Sequence, residues 1–164
     1  MEYIIKNMNE DILREIITWK YDLEYAEYNL ESYDELKKRK ASLLDESKAS
    51  NYLCYFNKSE LIGYTNLVEK ENGDLFLGIG LAPRYCSKGL GKELLLDTIT
   101  KAKTKYSGKS IVLQVRSWNK RAITCYTNVG FKIVKKEYVN DYKGSKSEFV
   151  FMKYDIWFDF FCKA

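Results

Sequence analysis

The chain of 164 residues contains no histidine and only one proline, Pro83. Without His, neither a Ser-His-Asp triad nor a Cys-His nucleophile can be assembled from this sequence. The four cysteines are widely spaced and form no CxxC pair. Together with the missing His, this spacing argues against a metal site and predicts reduced thiols in a cytosol. We therefore expect any proton transfer to use Tyr, Asp, Glu, Cys, Lys or water.

Long apolar runs and targeting signals are also lacking. No apolar run approaches the ~18–20 residues of a membrane span. The N-terminus, MEYIIKNMNEDILREI, has neither a basic n-region nor an apolar h-region. Lys and Arg number 27 against 23 Asp and Glu, and this net charge of +4 suits an anionic small molecule better than nucleic acid. The sequence predicts a cytoplasmic protein that binds neither membranes nor nucleic acid.

Periodicity and turn signals predict one α/β domain, a size at which a single core is expected. The element order β-α-α-β-β-β-α-β-α-β-β favours a central mixed sheet with helices on both faces. Capping signals at Asn9 and at Ser32 with Glu35 mark two helix starts, and Asn72-Gly73 marks a hairpin. The predicted strands are 2–6, 52–57, 61–69, 75–81, 111–116, 131–138 and 148–154, and the predicted helices are 9–21, 32–44, 89–106 and 119–128.

A glycine-paired turn, Ser87-Lys88-Gly89-Leu90-Gly91-Lys92, lies between the strand at 75–81 and a predicted helix. Unpaired backbone N–H groups, the helix dipole and lysine charge together predict a phosphate site. A P-loop is excluded, because it needs Gly and Ser or Thr where Cys86 and Glu93 stand. A dinucleotide fingerprint fails at Leu94. Taken alone, this segment has an alternative interpretation, which is an ordinary turn whose glycines bind no ligand.

A second segment, residues 115–131, reads as a strand, a polar turn, a helix and a Gly-Phe entry to another strand. Asn119 and Tyr126 are seven residues apart, so both lie on one helix face. A helix cap is the alternative for Asn119, and core packing is the alternative for Tyr126.

These two segments together resemble the two signatures of the GNAT N-acetyltransferase superfamily. The run from Leu81 to Lys92 resembles the acetyl-CoA loop of the family. The second segment resembles the second signature of the family in the spacing of Asn119, Ala122, Tyr126, Gly130 and Phe131. The resemblance is closest over residues 75–131, and the element order agrees over about residues 2–154. It implies an acetyl-CoA-dependent N-acetyltransferase domain at 1–154, followed by an aromatic tail at 155–164.

The resemblance also implies a role for each site residue. The backbone at Ile79, Gly80 and Leu81 would pair with the pantetheine arm like an added strand, and amides near Leu81 would polarise the thioester carbonyl. Donors from Ser87 to Lys92 would cradle the pyrophosphate. Asn119 would hold the pantetheine side of the cofactor. Tyr126 would protonate the leaving thiolate, since a phenol of pKa ~10 and a thiol of pKa ~8.5 are close enough for proton transfer.

Two departures from the family pattern affect the expected mechanism. Cys86 stands where the family usually has Gln or Arg, which removes one side-chain donor and leaves a covalent role for Cys86 as the alternative to direct transfer. Gln114 stands where protein N-terminal acetyltransferases often carry a Glu base, and an amide cannot accept a proton. The acids Glu24 and Glu27 border the acceptor cleft in the family, so they would act as a base through water or bind a cationic acceptor. A solvated acidic turn is their structural alternative.

The acceptor itself has no readable signature in the first 70 residues, so we expect a primary amine of a small molecule or a peptide. The competing function is a catalytically weak CoA-binding or regulatory module. A third reading is an interaction protein that uses the aromatic tail at 155–164. We expect this tail to pack over the domain or over a partner subunit of a homodimer. A membrane-surface role of the tail is the remaining alternative.

Overall fold

The computed structural model describes residues 2–106, 108–141 and 144–156, and it confirms the predicted mixed α/β fold. Seven strands form one sheet in the order β1-β2-β3-β4-β5-β7-β6, with β4 and β5 parallel. The strands are β1 Ile4–Lys6, β2 Tyr52–Asn57, β3 Glu60–Glu69, β4 Leu75–Leu81, β5 Ser110–Arg116, β6 Lys132–Asn140 and β7 Lys146–Asp155. The α-helices are α1 Glu10–Ile17, α2 Tyr33–Lys38, α3 Leu90–Lys105 and α4 Lys120–Val129. Short 3-10 helices cover Leu23–Tyr28, Ser42–Leu44, Glu46–Asn51 and Pro83–Tyr85.

The chain forms two compact units. The first comprises the described parts of Met1–Asn66 and Ile79–Leu90, and the second those of Leu67–Gly78 and Gly91–Ala164. The core of the first unit is built from Met8, Ile12, Leu13, Ile16, Trp19, Tyr52, Cys54, Phe56, Leu61 and Ala82. Buried apolar residues of the second unit include Leu75, Leu94, Leu95, Ile99, Ile111, Leu113, Phe131, Val150 and Met152.

Helix α1 begins where the sequence predicts and ends earlier. The Asn9 side chain accepts a hydrogen bond from the Ile12 N–H at 2.9 Å, which is the predicted cap. The helix stops at Ile17, four residues before the predicted end. The Thr18 hydroxyl donates to the Glu15 carbonyl at 2.6 Å, and this local bond competes with the continuing helix.

Helix α2 has its predicted capping box but stops at Lys38 rather than at 44. The Ala41 N–H donates to the Leu36 carbonyl at 2.9 Å, and Lys40 between them has φ +52°. This is a Schellman termination, in which glycine is the usual left-handed residue. Because lysine occupies that position here, no residue type in the sequence marks this helix end.

Strand β4 continues well beyond its parallel ladder with β5. The ladder comprises two pairs, Leu75 with Ile111 and Phe76 with Val112, while β4 itself runs on to Leu81. The backbone groups at the end of β4 are therefore not part of that ladder. Those are the groups that the sequence analysis assigns to a pantetheine arm.

The aromatic tail falls largely outside the described residues. Asp155 ends β7 and Ile156 is buried, while residues 157–164 lie beyond the part of the chain that the structure describes. The predicted division at 154/155 therefore stays a prediction. Among the helices of the described residues, none is both long enough and apolar enough to cross a membrane.

Candidate active site

The predicted phosphate turn has a backbone suited to anions. Ser87 has φ +61° and Gly89 has φ +80°, whereas Lys88 between them is not in the left-handed region. Alternation of this kind points successive N–H groups into one concavity, which binds anions. Ser87, Lys88 and Gly89 are all exposed, and α3 begins directly after them at Leu90.

The end of β4 approaches an aromatic stack in the first unit. A Cβ built on Gly80 would lie 2.6 Å from Cε1 of Tyr64. The Tyr64 ring stacks on Trp19 with centroids 6.2 Å apart and lies 6.1 Å from Tyr52. Burial raises the pKa of the Tyr64 hydroxyl, so this group stays neutral. Gly80 is therefore required by close packing, a reason that the sequence alone did not reveal.

We expect Gly80→Ala to lower the free energy of unfolding by about 1–3 kcal/mol, because the new methyl group overpacks Tyr64. Urea unfolding of the purified variant measures this change. In a Tyr64→Leu background the same substitution is expected to cost much less, since the ring is gone. An equal cost in both backgrounds would show that the ring contact is not the cause.

Tyr21 joins the end of β4 to the predicted acceptor segment. Its hydroxyl donates to the Leu81 carbonyl at 2.6 Å. Its backbone N–H donates to Oδ1 of Asn29 at 2.7 Å, and Nδ2 of Asn29 donates back to the Tyr21 carbonyl at 3.4 Å. These two hydrogen bonds hold together the residues on either side of the segment 22–28. Sequence reasoning missed this clasp, because its partners are eight residues apart and follow no motif.

The two predicted acceptor acids lie on this closed segment. Glu24 and Glu27 belong to the 3-10 helix Leu23–Tyr28, and both are exposed. Leu23, beside them, has φ +53° and is 85% exposed, which is unusual for a large apolar residue. The segment thus presents carboxylates and an apolar side chain on the same short turn.

The side chain of Asn119 caps helix α4, which is the structural alternative that the sequence suggests for this residue. Its side chain is 6% exposed, and Oδ1 accepts the Ala122 N–H at 3.1 Å. The Asn119 N–H donates to the Arg116 carbonyl at 2.9 Å. Capping occupies the side-chain oxygen, so the predicted cofactor contact of Asn119 stays a prediction.

Tyr126 is half-buried on α4 and is oriented by aromatic neighbours in the second unit. Its ring centroid lies 6.1 Å from that of Phe131, and Phe131 lies 5.5 Å from Tyr154. The Phe131 N–H donates to the Tyr126 carbonyl at 3.0 Å, across a left-handed Gly130 with φ +112°. The Gly-Phe pair therefore closes α4 and fixes the tyrosine that the sequence predicts to be catalytic.

The remaining predicted residues of this unit lie on α3. Gly91 and Lys92 are in its first turn, where Gly91 is buried and Lys92 is exposed.

Burial raises the pKa of the Cys125 thiol on α4, and the positive charge of Lys92 opposes that shift. In the first unit, burial raises the pKa of Cys54 to about 12. A raised pKa disfavours the thiolate form of both cysteines at neutral pH.

A side-chain base is not visible at the Gln114 position. Gln114 is exposed on β5 and pairs in register with Phe151 of β7.

The neighbouring Arg116 is buried and pairs with Asp141 at 2.8 Å, while its Nη1 donates to Ser147 at 2.7 Å. This buried pair ties the β6–β7 loop to the end of β5, and the sequence analysis did not anticipate it. Among the described residues, no group of three or more His, Cys, Asp and Glu side chains could hold a metal ion.

Comparison with known proteins gives consistent matches. Residues 13–131 match the family model described as Acetyltransferase (GNAT) family. The spermidine N(1)-acetyltransferase of Thermoplasma acidophilum is 32% identical over 129 residues, which cover 75% of this chain and 80% of that protein.

Solved structures share the fold at lower identity. A spermidine N-acetyltransferase chimera from Vibrio cholerae and hSSAT has a TM-score of 0.74 and 20% identity, covering 95% of this chain and 96% of the other. A phosphinothricin acetyltransferase from Sinorhizobium meliloti in complex with acetyl-CoA has a TM-score of 0.65 and 18% identity, covering 94% and 89%.

The family match covers both predicted signatures, from the β4 strand end through Phe131. It confirms the predicted N-acetyltransferase activity and acetyl-CoA as the co-substrate. The individual site residues stay predictions. The chain belongs to the acetyltransferase (GNAT) family.

Proposed function

We propose that the protein transfers the acetyl group of acetyl-CoA to a primary amine of a polyamine. The observation that carries this proposal is the 32% identity to a spermidine N(1)-acetyltransferase, over 80% of that protein. A polyamine is a flexible cation in which amino groups alternate with short methylene chains. An acceptor site for it needs spaced negative charge together with some apolar surface.

The closed segment at residues 22–28 has this combination. Glu24 and Glu27 supply two exposed carboxylates three residues apart, and Asp22 precedes them. Leu23 supplies exposed apolar surface between the acids. Because surface ion pairs are individually weak, several acids in one segment favour a polyvalent cation over a singly charged amine.

The proposed chemistry is direct transfer. The amine nitrogen attacks the thioester carbonyl carbon, a C–N bond forms, and the C–S bond breaks. Backbone N–H groups near Leu81 polarise the carbonyl, and Tyr126 gives its proton to the leaving thiolate. The attacking nitrogen loses its N–H proton as the amide forms, and this proton returns through water to the Tyr126 phenolate. The acceptor must first lose a proton, which costs about 4–5 kcal/mol at pH 7 for an amine of pKa ~10.4. With Gln114 at the position of the usual Glu base, this proton goes to water or to an acid of the 22–28 segment.

The missing base gives a pH prediction. If the neutral amine is the reactive species, kcat/KM for spermidine is expected to rise about tenfold per pH unit between pH 7 and 9. Initial rates of CoA thiol release across this range measure the slope. The ionic strength is held constant, and a second buffer at the same pH serves as the control. A flat profile would contradict proton loss to water and would instead support an acid of the 22–28 segment as the base.

An amine panel tests the proposed acceptor. We expect kcat/KM to be highest for spermidine, above an aminoglycoside, free amino acids and N-terminal peptides. The flexible polyamine can bring several charges to neighbouring acids of one short turn, whereas the amino groups of an aminoglycoside are held on rigid rings. A peptide or an aminoglycoside as the best substrate would contradict the polyamine proposal. Normal CoA binding without thiol release for any amine would instead support the regulatory-module alternative.

The double substitution Glu24→Gln and Glu27→Gln tests the acceptor segment. We expect KM for spermidine to rise about tenfold with little change in kcat, since two weak charge contacts of ~0.5–1 kcal/mol each are lost. The double substitution Glu2→Gln and Glu71→Gln, at two exposed positions outside this segment, is a matched control with the same loss of two charges. An unchanged KM in the double variant would remove these acids from acceptor binding.

We also propose that the protein acts in the cytoplasm. Cys54 and Cys125 are free thiols, and reduced cysteines are typical of a reducing compartment.

A further inference from the structure

The backbone of Leu81 faces the edge of β4 that lies opposite β3. The N–H of Ala82 donates to the Ile62 carbonyl of β3 at 2.9 Å. In a trans peptide the C=O and the following N–H point in opposite directions, so the Leu81 carbonyl points away from β3. The N–H and C=O of one residue in an extended strand share an edge, so the Leu81 N–H points away from β3 as well. This is the edge on which the predicted pantetheine arm would pair.

Tyr21 occupies the hydrogen-bond acceptor that Leu81 presents on this edge. The Tyr21 hydroxyl donates to the Leu81 carbonyl at 2.6 Å, which is at the short end of the range for such bonds. A carbonyl has two lone pairs, and the hydroxyl uses one of them and fills part of the space beside it. Leu81 therefore favours a ligand group that accepts a hydrogen bond, such as a carbonyl oxygen, over a group that donates one, such as an amide N–H.

The position of the Tyr21 hydroxyl is fixed by the rest of the residue. Its backbone N–H and C=O are both hydrogen-bonded to the Asn29 side chain. Its ring packs against the core of the first unit, which includes Trp19 and Ala82. Because the backbone and the ring are both held, the hydroxyl is preorganised at the Leu81 carbonyl before any ligand binds.

We propose that Tyr21 is a positioning residue for acetyl transfer. By occupying the Leu81 carbonyl, its hydroxyl selects the register in which the thioester oxygen, and not an amide N–H of the pantetheine arm, lies at the Leu81 N–H. The same hydrogen bond reduces the repulsion between the Leu81 carbonyl and the negative charge that develops on the thioester oxygen. This inference rests on the proposed transfer at the Leu81 end of β4 and is independent of which amine accepts the acetyl group.

Tyr21→Phe removes the hydroxyl and keeps both the ring and the backbone bonds to Asn29. We expect kcat to fall about tenfold, because a hydrogen bond that favours the transition state is lost. We expect KM for the amine and the dissociation constant of CoA to stay nearly unchanged. Initial rates at saturating substrates and calorimetry measure these quantities. Tyr138→Phe, at a position of β6 that is 63% exposed, is the matched control and should keep the wild-type kcat.

The carbonyl stretch of bound acetyl-CoA gives a second readout, which needs no amine. Infrared difference spectroscopy with an isotopic label at the acetyl carbonyl carbon isolates this band. A hydrogen bond from the Leu81 N–H lowers the stretching frequency, so we expect a downshift from the value in buffer when acetyl-CoA binds the wild type. We expect a smaller downshift in Tyr21→Phe, and the wild-type downshift in Tyr138→Phe. A general loss of stability would not produce this pattern in folded protein.

The two readouts together decide the role of Tyr21. A lower kcat with a smaller downshift supports positioning. A wild-type kcat in Tyr21→Phe overturns it, and so does a lower kcat with an unchanged downshift, because Tyr21 would then act elsewhere than at the thioester. A wild type that shows no downshift also overturns it. If the wild type prefers another amine to spermidine, only the proposed acceptor fails, and the kinetics use that amine. If it transfers to no amine, the proposed function fails, and the downshift alone decides this inference.

Discussion

Tyr126→Phe is expected to lower kcat by about 100-fold while the affinity for CoA stays nearly unchanged. Loss of a positioned general acid typically costs 10²–10⁴-fold in rate. The phenyl ring keeps the contact with Phe131, 6.1 Å away between centroids, so the fold of α4 should be preserved. Initial-rate kinetics at saturating amine give kcat, and calorimetry gives the dissociation constant of CoA.

Tyr106→Phe is the matched control for this substitution. Tyr106 follows the C-terminal end of α3 and has no predicted catalytic role, so kcat of this variant should equal that of the wild type. If Tyr126→Phe also retained wild-type kcat at saturating substrate, another group or water would protonate the thiolate. Tyr126 would then be a packing residue.

Gly89→Val is expected to weaken CoA binding by about tenfold to a hundredfold. A residue with a Cβ pays roughly 1–2 kcal/mol in the left-handed region, and a β-branched residue pays more. Open space surrounds the position of the added Cβ, so the effect comes from the backbone at φ +80° and not from a side-chain clash. Loss of that conformation would turn the N–H groups of the turn away from the predicted position of the pyrophosphate. Calorimetric titration with CoA measures the change.

Gly73→Val separates this effect from general destabilisation. Gly73 lies in the β3–β4 hairpin turn with φ +86°, and a Cβ there also meets open space. The two variants carry the same backbone strain, but only one of them lies in the predicted phosphate turn. Equal losses of CoA affinity in both would contradict the phosphate assignment, whereas a loss confined to Gly89→Val supports it. Gly89→Asn, which tolerates the left-handed region better, should retain more affinity.

Local signals predicted most of the fold. The caps at Asn9, Ser32 and Asn119 lie where the sequence places them, because a capping side chain acts on N–H groups two or three residues away. The Asn72-Gly73 hairpin is correct for the same local reason. Helix ends were less predictable, since Lys40 adopts the left-handed conformation that the rules reserve for glycine.

Features of the candidate site were predictable only where they depend on local sequence. The closing of α4 at Gly130-Phe131 involves adjacent residues, so it could be predicted directly, whereas the phosphate role of the turn at 87–92 stays a prediction. The contacts of Gly80 with Tyr64 and of Tyr21 with Leu81 join residues far apart in the chain. No periodicity or motif predicts such long-range contacts, because they depend on tertiary packing.

The clasp between Tyr21 and Asn29 has a consequence for how substrate preference can diverge. Tyr21 and Asn29 are hydrogen-bonded to each other, so the two ends of the loop between them are held together. A change in the conformational freedom of the loop therefore affects mainly the residues of the loop itself. Substitutions or insertions between these two anchors therefore leave the supporting core nearly undisturbed. If residues 22–28 bind the acceptor, as we propose, a chain of this kind can change its acceptor within this segment while it keeps the same cofactor chemistry.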